Sequence, residues 1–366
     1  MPSSTSSSEP PFIHREIPDL PWRGIVLAVV VAVTAVAAAW ELHCRAAGYA
    51  PGLDDTTDLW VEARRTVQPD STVIIGASRG LFDLDLDVLE QGLGKRPVQL
   101  SLVGSCLYPV LRHLADDPTF HGTVLCDVVP GLAVVPPMAP PYHNAEKAVH
   151  RQATQTWSQW AGHLLSIPLE RTFACLQQED LTLAALLKRL PIPDRPRAQV
   201  PPRLPPYFMT IDRDRRGRMT PNVLTDAALR ERIAHGWAPL FTPPPKPSWI
   251  PAEPFAAFMD KLFNERFVDI AKAVADLRAR GGRVVFLRLP SSGELRALEE
   301  RLTPRPVVWD RILTDSASPG ICWEDHPELA SFACPEWSHL SASDSVEFTR
   351  RLVPFLNDAL GAAKGK

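Results

Sequence analysis

The sequence predicts an α/β protein: a doubly wound parallel sheet, interrupted by one long proline-rich helical insertion and preceded by a single apolar helix. Three observations predict it. Short apolar runs alternate with helical stretches over 71–130 and again beyond residue 254. Proline is unevenly spread, with 21 of the chain's 38 prolines between Pro130 and Pro254. Finally, Gly24–Trp40 runs for seventeen residues without a charge.

Composition narrows the function classes. The chain has 366 residues, 45% hydrophobic and 22% charged, with a net charge of −3. Such a balance excludes wholesale disorder and a multi-span membrane protein. With no long basic run, it also argues against a nucleic-acid partner held through phosphates.

Residues 1–23 form a tail, polar and Ser/Pro-rich over its first part, where disorder is expected. The 24–40 segment is then expected to anchor the chain in a membrane, at the lower length limit for a span. Trp22 and Trp40 stand at its two ends, where aromatic side chains sit at a bilayer interface. A cleavable signal is the competing reading, because Ala35-Val36-Ala37 and Ala37-Ala38-Ala39 both fit a small-x-small cleavage site. Cys44 does not read as a lipoprotein cysteine, since His43 replaces the small residue expected before it. Arg15 and Arg23 before the span, against Arg45 after it, place residues 41–366 outside the cytoplasmic membrane, on the periplasmic or extracellular side.

The six cysteines leave the redox state open. Cys322 with Cys334 and Cys106 with Cys126 are candidate pairs, and free buried thiols are the alternative. No CxxC pair is present, so a zinc ribbon or thioredoxin-like motif is not expected.

The elements follow in order. Residues 41–70 are a linker closing on a lead-in helix at Asp58–Gln68. Ser71–Gly76 reads as a buried parallel strand, Leu84–Leu93 as a helix and Pro97–Val103 as a second strand. Tyr108–Ala115 is helical and Thr123–Val129 is a third strand. After the insertion, Phe255–Arg280 keeps a helical period and stops at Gly281-Gly282. Arg283–Leu289 is a fourth strand, Ser291–Leu302 a helix, and Val346–Leu360 the last helix. The α/β domain thus comprises 71–130 and 254–362. Within the 131–253 insertion, helices around Ala145–Ala161 and Leu181–Leu190 alternate with proline clusters at Pro191–Pro206 and Pro243–Pro247, which reads as a lid or as a silent insertion.

Sheets of this kind bind ligands at the carboxyl ends of their strands, and two motifs fall there. Gly76-Ala77-Ser78-Arg79-Gly80 follows the first strand, where a serine at a tight strand-to-helix turn exposes its hydroxyl. Its Gly-x-Ser-x-Gly spacing matches a nucleophile elbow, but that elbow comes after several strands rather than the first. By itself the motif reads first as an ordinary serine N-cap of a helix. Glu336-Trp337-Ser338-His339 precedes the last helix and offers a base with a carboxylate three residues upstream to orient it. Asp325 is the second-choice acid. A Ser78–His339 pair requires the two side chains to approach within about 2.6–3.2 Å, and neither is expected to be a major packing element. Arg79 and Arg288 read either as anion-binding residues or as solvated or ion-paired ones. Gly92-Leu93-Gly94-Lys95-Arg96 lacks the spacing of a phosphate-binding loop, and His113 and His121 show no metal-ligand pattern.

At these residues the chain resembles the SGNH (GDSL-type) hydrolases, in a divergent membrane-anchored bacterial branch with a flavodoxin-like sheet. The resemblance covers 71–130 and 283–360. Ile75-Gly76-Ala77-Ser78-Arg79 matches the family's first block, Ser101-Leu102-Val103-Gly104-Ser105 its second, and Glu336-Trp337-Ser338-His339 its Asp-x-x-His block with Glu for Asp. The third block departs: Cys126-Asp127-Val128-Val129-Pro130-Gly131 lacks the asparagine that donates to the oxyanion. The resemblance implies Ser78 as nucleophile, His339 as base, Glu336 as orienting acid, and an oxyanion hole from the Ser78 and Gly104 N–H groups. It implies an esterase or O-acyltransferase acting on acyl, typically acetyl, esters of envelope polysaccharide, with no cofactor or metal and a membrane-bound acyl donor as a candidate partner. A non-catalytic binding or assembly protein on the same fold is the alternative.

Overall fold

Val73, Ile74 and Ile75, a β-branched run with no polar partner face, are wholly buried in a strand covered on both sides, as a central parallel strand requires. The computed structural model describes residues 20–177, 181–190, 207–242 and 249–362, so the first part of the tail and the Pro191–Pro206 and Pro243–Pro247 clusters lie outside the described residues. Among the described residues seven strands occur in chain order: β1 (Thr72–Ile75), β2 (Val98–Gln99), β3 (Thr123–Asp127), β4 (Met209–Ile211), β5 (Gly217–Met219), β6 (Arg283–Arg288) and β7 (Gly320–Cys322). Five of them form one sheet in the order β2-β1-β3-β6-β7, and every neighbouring pair is parallel. The chain therefore moves outward from β1 to β2 on one side and from β3 to β6 on the other. That reversal opens a crevice above the carboxyl ends of β1 and β3.

The expected strands of the sheet are present, β2 being shortened to two residues. β7 was not anticipated. Its three residues are too few for a run, and the helix before it, Arg305–Ser316, reads weakly because two prolines open it. The lead-in helix spans Thr57–Arg65, started by the Thr56 hydroxyl, which accepts from the Leu59 N–H. The Leu86–Leu93 helix is capped by Asp85 and ends at Gly94 in the left-handed region. The long Ala252–Ala279 helix starts three residues before its expected bound and ends one short of it, and the Ala342–Ala362 helix extends beyond its expected bounds at both ends.

The insertion departs most from expectation. The single helix expected at Ala145–Ala161 is two, Pro140–Thr154 and Trp157–Glu170. Thr156 divides them, because its side chain and that of Gln159 form a reciprocal capping box that starts a new helix. The antiparallel β4–β5 hairpin and the Ala227–Phe241 helix were not expected at all.

These insertion elements share an apolar core with the strand-end loops. Met209, Ile211, Met219, Val223, Ile233 and Trp237 pack with Leu81, Phe82 and Leu295. The hairpin turn is fastened by charge as well. Arg215, fully buried, reaches Asp55 at 2.7 Å and donates to the Gln99 and Ser101 carbonyls. Arg216 pairs with Asp85 and Asp87. From Pro51 onward the chain is one compact unit.

The N-terminal unit contains the Trp22–Ala46 helix, 25 residues long and the one helix among the described residues that is apolar enough to cross a membrane; a signal sequence would look the same. Cys106, Cys126, Cys322 and Cys334 form no disulfide, so neither candidate pair is made. The Cys106 thiol instead faces the Ala133 carbonyl and the Cys334 thiol the Pro290 carbonyl.

Candidate active site

Ser78 opens a short helix, Ser78–Phe82, directly after β1. The turn into it is tight enough to demand glycine at two positions. Gly76 has φ 138°, and a Cβ there would meet the Asp127 backbone oxygen at 2.6 Å. A Cβ on Gly80 would stand 2.7 Å from the Ser101 hydroxyl. Asp127, the last residue of β3, fills the space these glycines leave. Its Oδ2 accepts from the Gly80 N–H at 2.9 Å and the Ala77 N–H at 3.2 Å. The first N–H groups of a helix have no intrahelical partner. With Ala77 and Gly80 committed to Asp127, the Ser78 and Arg79 N–H groups remain at this turn.

The Ser78 hydroxyl lies 2.8 Å from His339 Nε2. On the other side of the ring, Nδ1 lies 2.9 Å from Glu336 Oε1, which also accepts from the His339 backbone N–H at 2.6 Å. A carboxylate only accepts, so Nδ1 carries the proton and Nε2 is left to accept from the serine. Both Glu336 and His339 are fully buried. A strained turn sets this geometry: Trp337 has φ 77°, a left-handed value costly for an aromatic residue. The turn folds Glu336 back beneath the histidine that follows it.

Three aromatic rings enclose the imidazole. Phe82 stacks on it at 4.3 Å between centroids, Trp237 meets it edge-on at 5.4 Å and Phe208 lies at 5.7 Å. Trp237 also donates through Nε1 to Glu336 Oε2 at 2.6 Å, completing the carboxylate's hydrogen bonds. His339 is thus a packing element, contrary to the sequence expectation. A histidine on a loop gave no hint of this, because two of its three aromatic neighbours come from the insertion.

The remaining candidates are placed as follows. Gly104 sits at φ 60° in the turn after β2, and a Cβ there would meet open space. The Leu102 N–H bonds to the Gly76 carbonyl at 3.0 Å, which draws this turn against the nucleophile loop. Arg79 is buried, 2.5 Å from Glu299, and donates to the Ser338 carbonyl. Arg288 is buried beside Glu300 and Glu324. Arg79 therefore serves a buried ion pair, and Arg288 faces two partly exposed carboxylates from inside the fold, so both are ion-paired rather than solvated. Asp325 is bound to Arg305 and does not serve His339.

Sequence reasoning missed four groups: Phe82, Phe208, Trp237 and Asp127. Asp83 is a fifth, with Oδ1 accepting from the Leu340 N–H at 2.8 Å and Oδ2 buried without a hydrogen-bond partner. Burial pushes the Asp83 carboxyl well above its ordinary value and the Asp127 carboxyl up to about 6. Only the position of Asp127 at a strand end could have flagged any of them. Among the described residues no group of His, Cys, Asp or Glu is arranged to hold a metal ion.

Chemically, the site can pass a proton from a serine hydroxyl to a buried imidazole whose other nitrogen is held by a carboxylate. Comparison with protein-family models, curated proteins and solved structures finds no match to this chain.

Proposed function

We propose that the protein is a serine esterase or O-acyltransferase of the SGNH type, anchored by Trp22–Ala46 with its α/β domain on the periplasmic or extracellular side. The observation that carries this reading is the continuous Ser78–His339–Glu336 hydrogen-bond chain at the carboxyl end of β1. The strand order, which matches a flavodoxin-like sheet, and the short sequence blocks support it.

In the reaction, Ser78 Oγ attacks an ester carbonyl while His339 Nε2 takes the hydroxyl proton. The Ser78 and Gly104 N–H groups hold the oxyanion. The alcohol leaves with the proton from His339, giving an acyl-enzyme. Water or a sugar hydroxyl then attacks that acyl group as His339 accepts its proton; the acyl–Ser78 bond breaks and His339 returns the proton to Ser78 Oγ, releasing the acid or the acylated sugar. Envelope polysaccharide carrying acetyl or related esters is the proposed substrate class, and 131–253 is proposed to cover the site as a cap.

The departure of the third block, with Asp127 turned to the Ala77 and Gly80 N–H groups, favours a second reading as a non-catalytic binding or assembly protein. A fluorophosphonate probe separates the two. The full chain should be labelled and its Ser78→Ala variant should not. A folded wild-type chain that stays unlabelled leaves the binding reading.

A further inference from the structure

The Trp157–Glu170 helix turns an apolar face outward. Ile167 and Glu170 are buried, whereas Trp157 is 83%, Leu165 69% and Leu169 49% exposed. At about 100° per residue, Trp157, Ala161, Leu165 and Pro168 share one side, with Leu169 at its edge. Residues 157–169 contain no Asp, Glu, Lys or Arg. Phe173 and Leu176, just beyond the helix, are also exposed. Exposed large apolar side chains gathered on one helix face, with no charge among them, mark an interaction site.

The far end of the helix identifies the occupant. The Glu170 carbonyl accepts from the Gly52 N–H at 3.0 Å, and its carboxylate lies 3.4 Å from the Asp54 N–H. Gly52 follows Ala46, the last residue of the apolar N-terminal helix, by six residues. Six extended residues reach no more than about 20 Å. If Trp22–Ala46 spans a bilayer, the Glu170 end of the exposed face is held within that reach of the membrane surface. A tryptophan-bearing, uncharged face suits the headgroup layer, where apolar side chains gain from burial and the indole N–H remains hydrated.

We propose that Trp157, Leu165 and Leu169, with Phe173 and Leu176, dock on the same membrane that Trp22–Ala46 crosses. The proposal rests on the anchor reading and is independent of the chemistry at Ser78.

The test uses the full chain in phosphatidylethanolamine–phosphatidylglycerol vesicles whose acyl chains carry bromine near the headgroup or near the chain ends. Trp157 emission is taken as the difference between wild type and Trp157→Phe, and anchor emission as the difference from a Trp22→Phe/Trp40→Phe variant. Docking predicts that Trp157 emission is quenched, more by bromine near the headgroup than near the chain ends. Quenched anchor emission with unquenched Trp157 emission overturns docking alone. A Trp157 signal that is blue-shifted but unquenched also overturns it, and assigns the face to protein, a second copy or the 178–206 segment. Unquenched anchor emission overturns the anchor reading and the proposal with it.

Discussion

The imidazole of His339 is held by two regions with different kinds of sequence. From the strand-end side come Ser78 and Phe82, in the short helix directly after β1, and Glu336, three residues before His339 itself. From the insertion come Trp237 and Phe208, roughly a hundred residues or more from every strand-end group they touch. The strand ends carry the groups that would do chemistry. The insertion supplies the ring edge, the last carboxylate hydrogen bond and the exclusion of water. The difference teaches that this insertion is part of the machinery's support rather than a detachable cover.

The sharpest way to break that comparison is to remove chemistry from the strand ends. Ser78→Ala and His339→Ala should each lower ester turnover on the order of 10^6-fold, and Glu336→Gln should leave a larger remnant. Steady-state kinetics on a chromogenic ester checks the order. The two alanine variants should differ in stability. Ser78→Ala should be nearly neutral, while His339→Ala vacates a space among three rings and should cost about 3 kcal/mol in chemical unfolding.

On the insertion side, Arg215→Ala leaves Asp55 and two carbonyls buried without their guanidinium. It should destabilise the fold by about 3–5 kcal/mol. A loss confined to activity, with unchanged unfolding, would restore the detachable-cover view.

Trp237→Phe keeps the ring contact but deletes the Nε1 donor to Glu336. The lost charge-assisted hydrogen bond is worth about 1.5–3 kcal/mol. Turnover should fall roughly ten- to hundredfold. Unchanged turnover would assign Trp237 to packing alone.

The pH dependence of stability tests two buried groups outside the Ser78–His339–Glu336 chain. Burial raises Asp127 to about 6 in the folded chain from an ordinary 3.8. Its stabilising contribution is therefore present below 3.8 and lost as pH rises through 6, a span on the order of 3 kcal/mol. Asp127→Asn should remove that slope from unfolding measured between pH 4 and 6. His113 behaves oppositely: burial, together with Arg64, pushes it down to about 4. Its contribution is present above 6.5 and lost as pH falls through 4. His113→Gln should flatten that acid-side decline.

Local pattern alone was enough for the parallel α/β class, the sheet strands with apolar runs, the apolar N-terminal helix, and Ser78, Glu336 and His339 as a candidate set. Those features are local: buried strands need runs of apolar residues, a tight turn needs Gly76 and Gly80, and an acid three residues before a histidine can fold back onto it. Tertiary packing settles the rest: Thr156 divides a helix in the insertion, neither candidate cysteine pair forms, Arg79 is consumed by a buried ion pair, and Trp237 completes the carboxylate. Each of these depends on partners distant in sequence or on a cap competing with continued helix. Burial and hydrogen-bond satisfaction are properties of the packed chain, and no spacing along it reveals which distant side chain will meet an unpaired carboxylate oxygen.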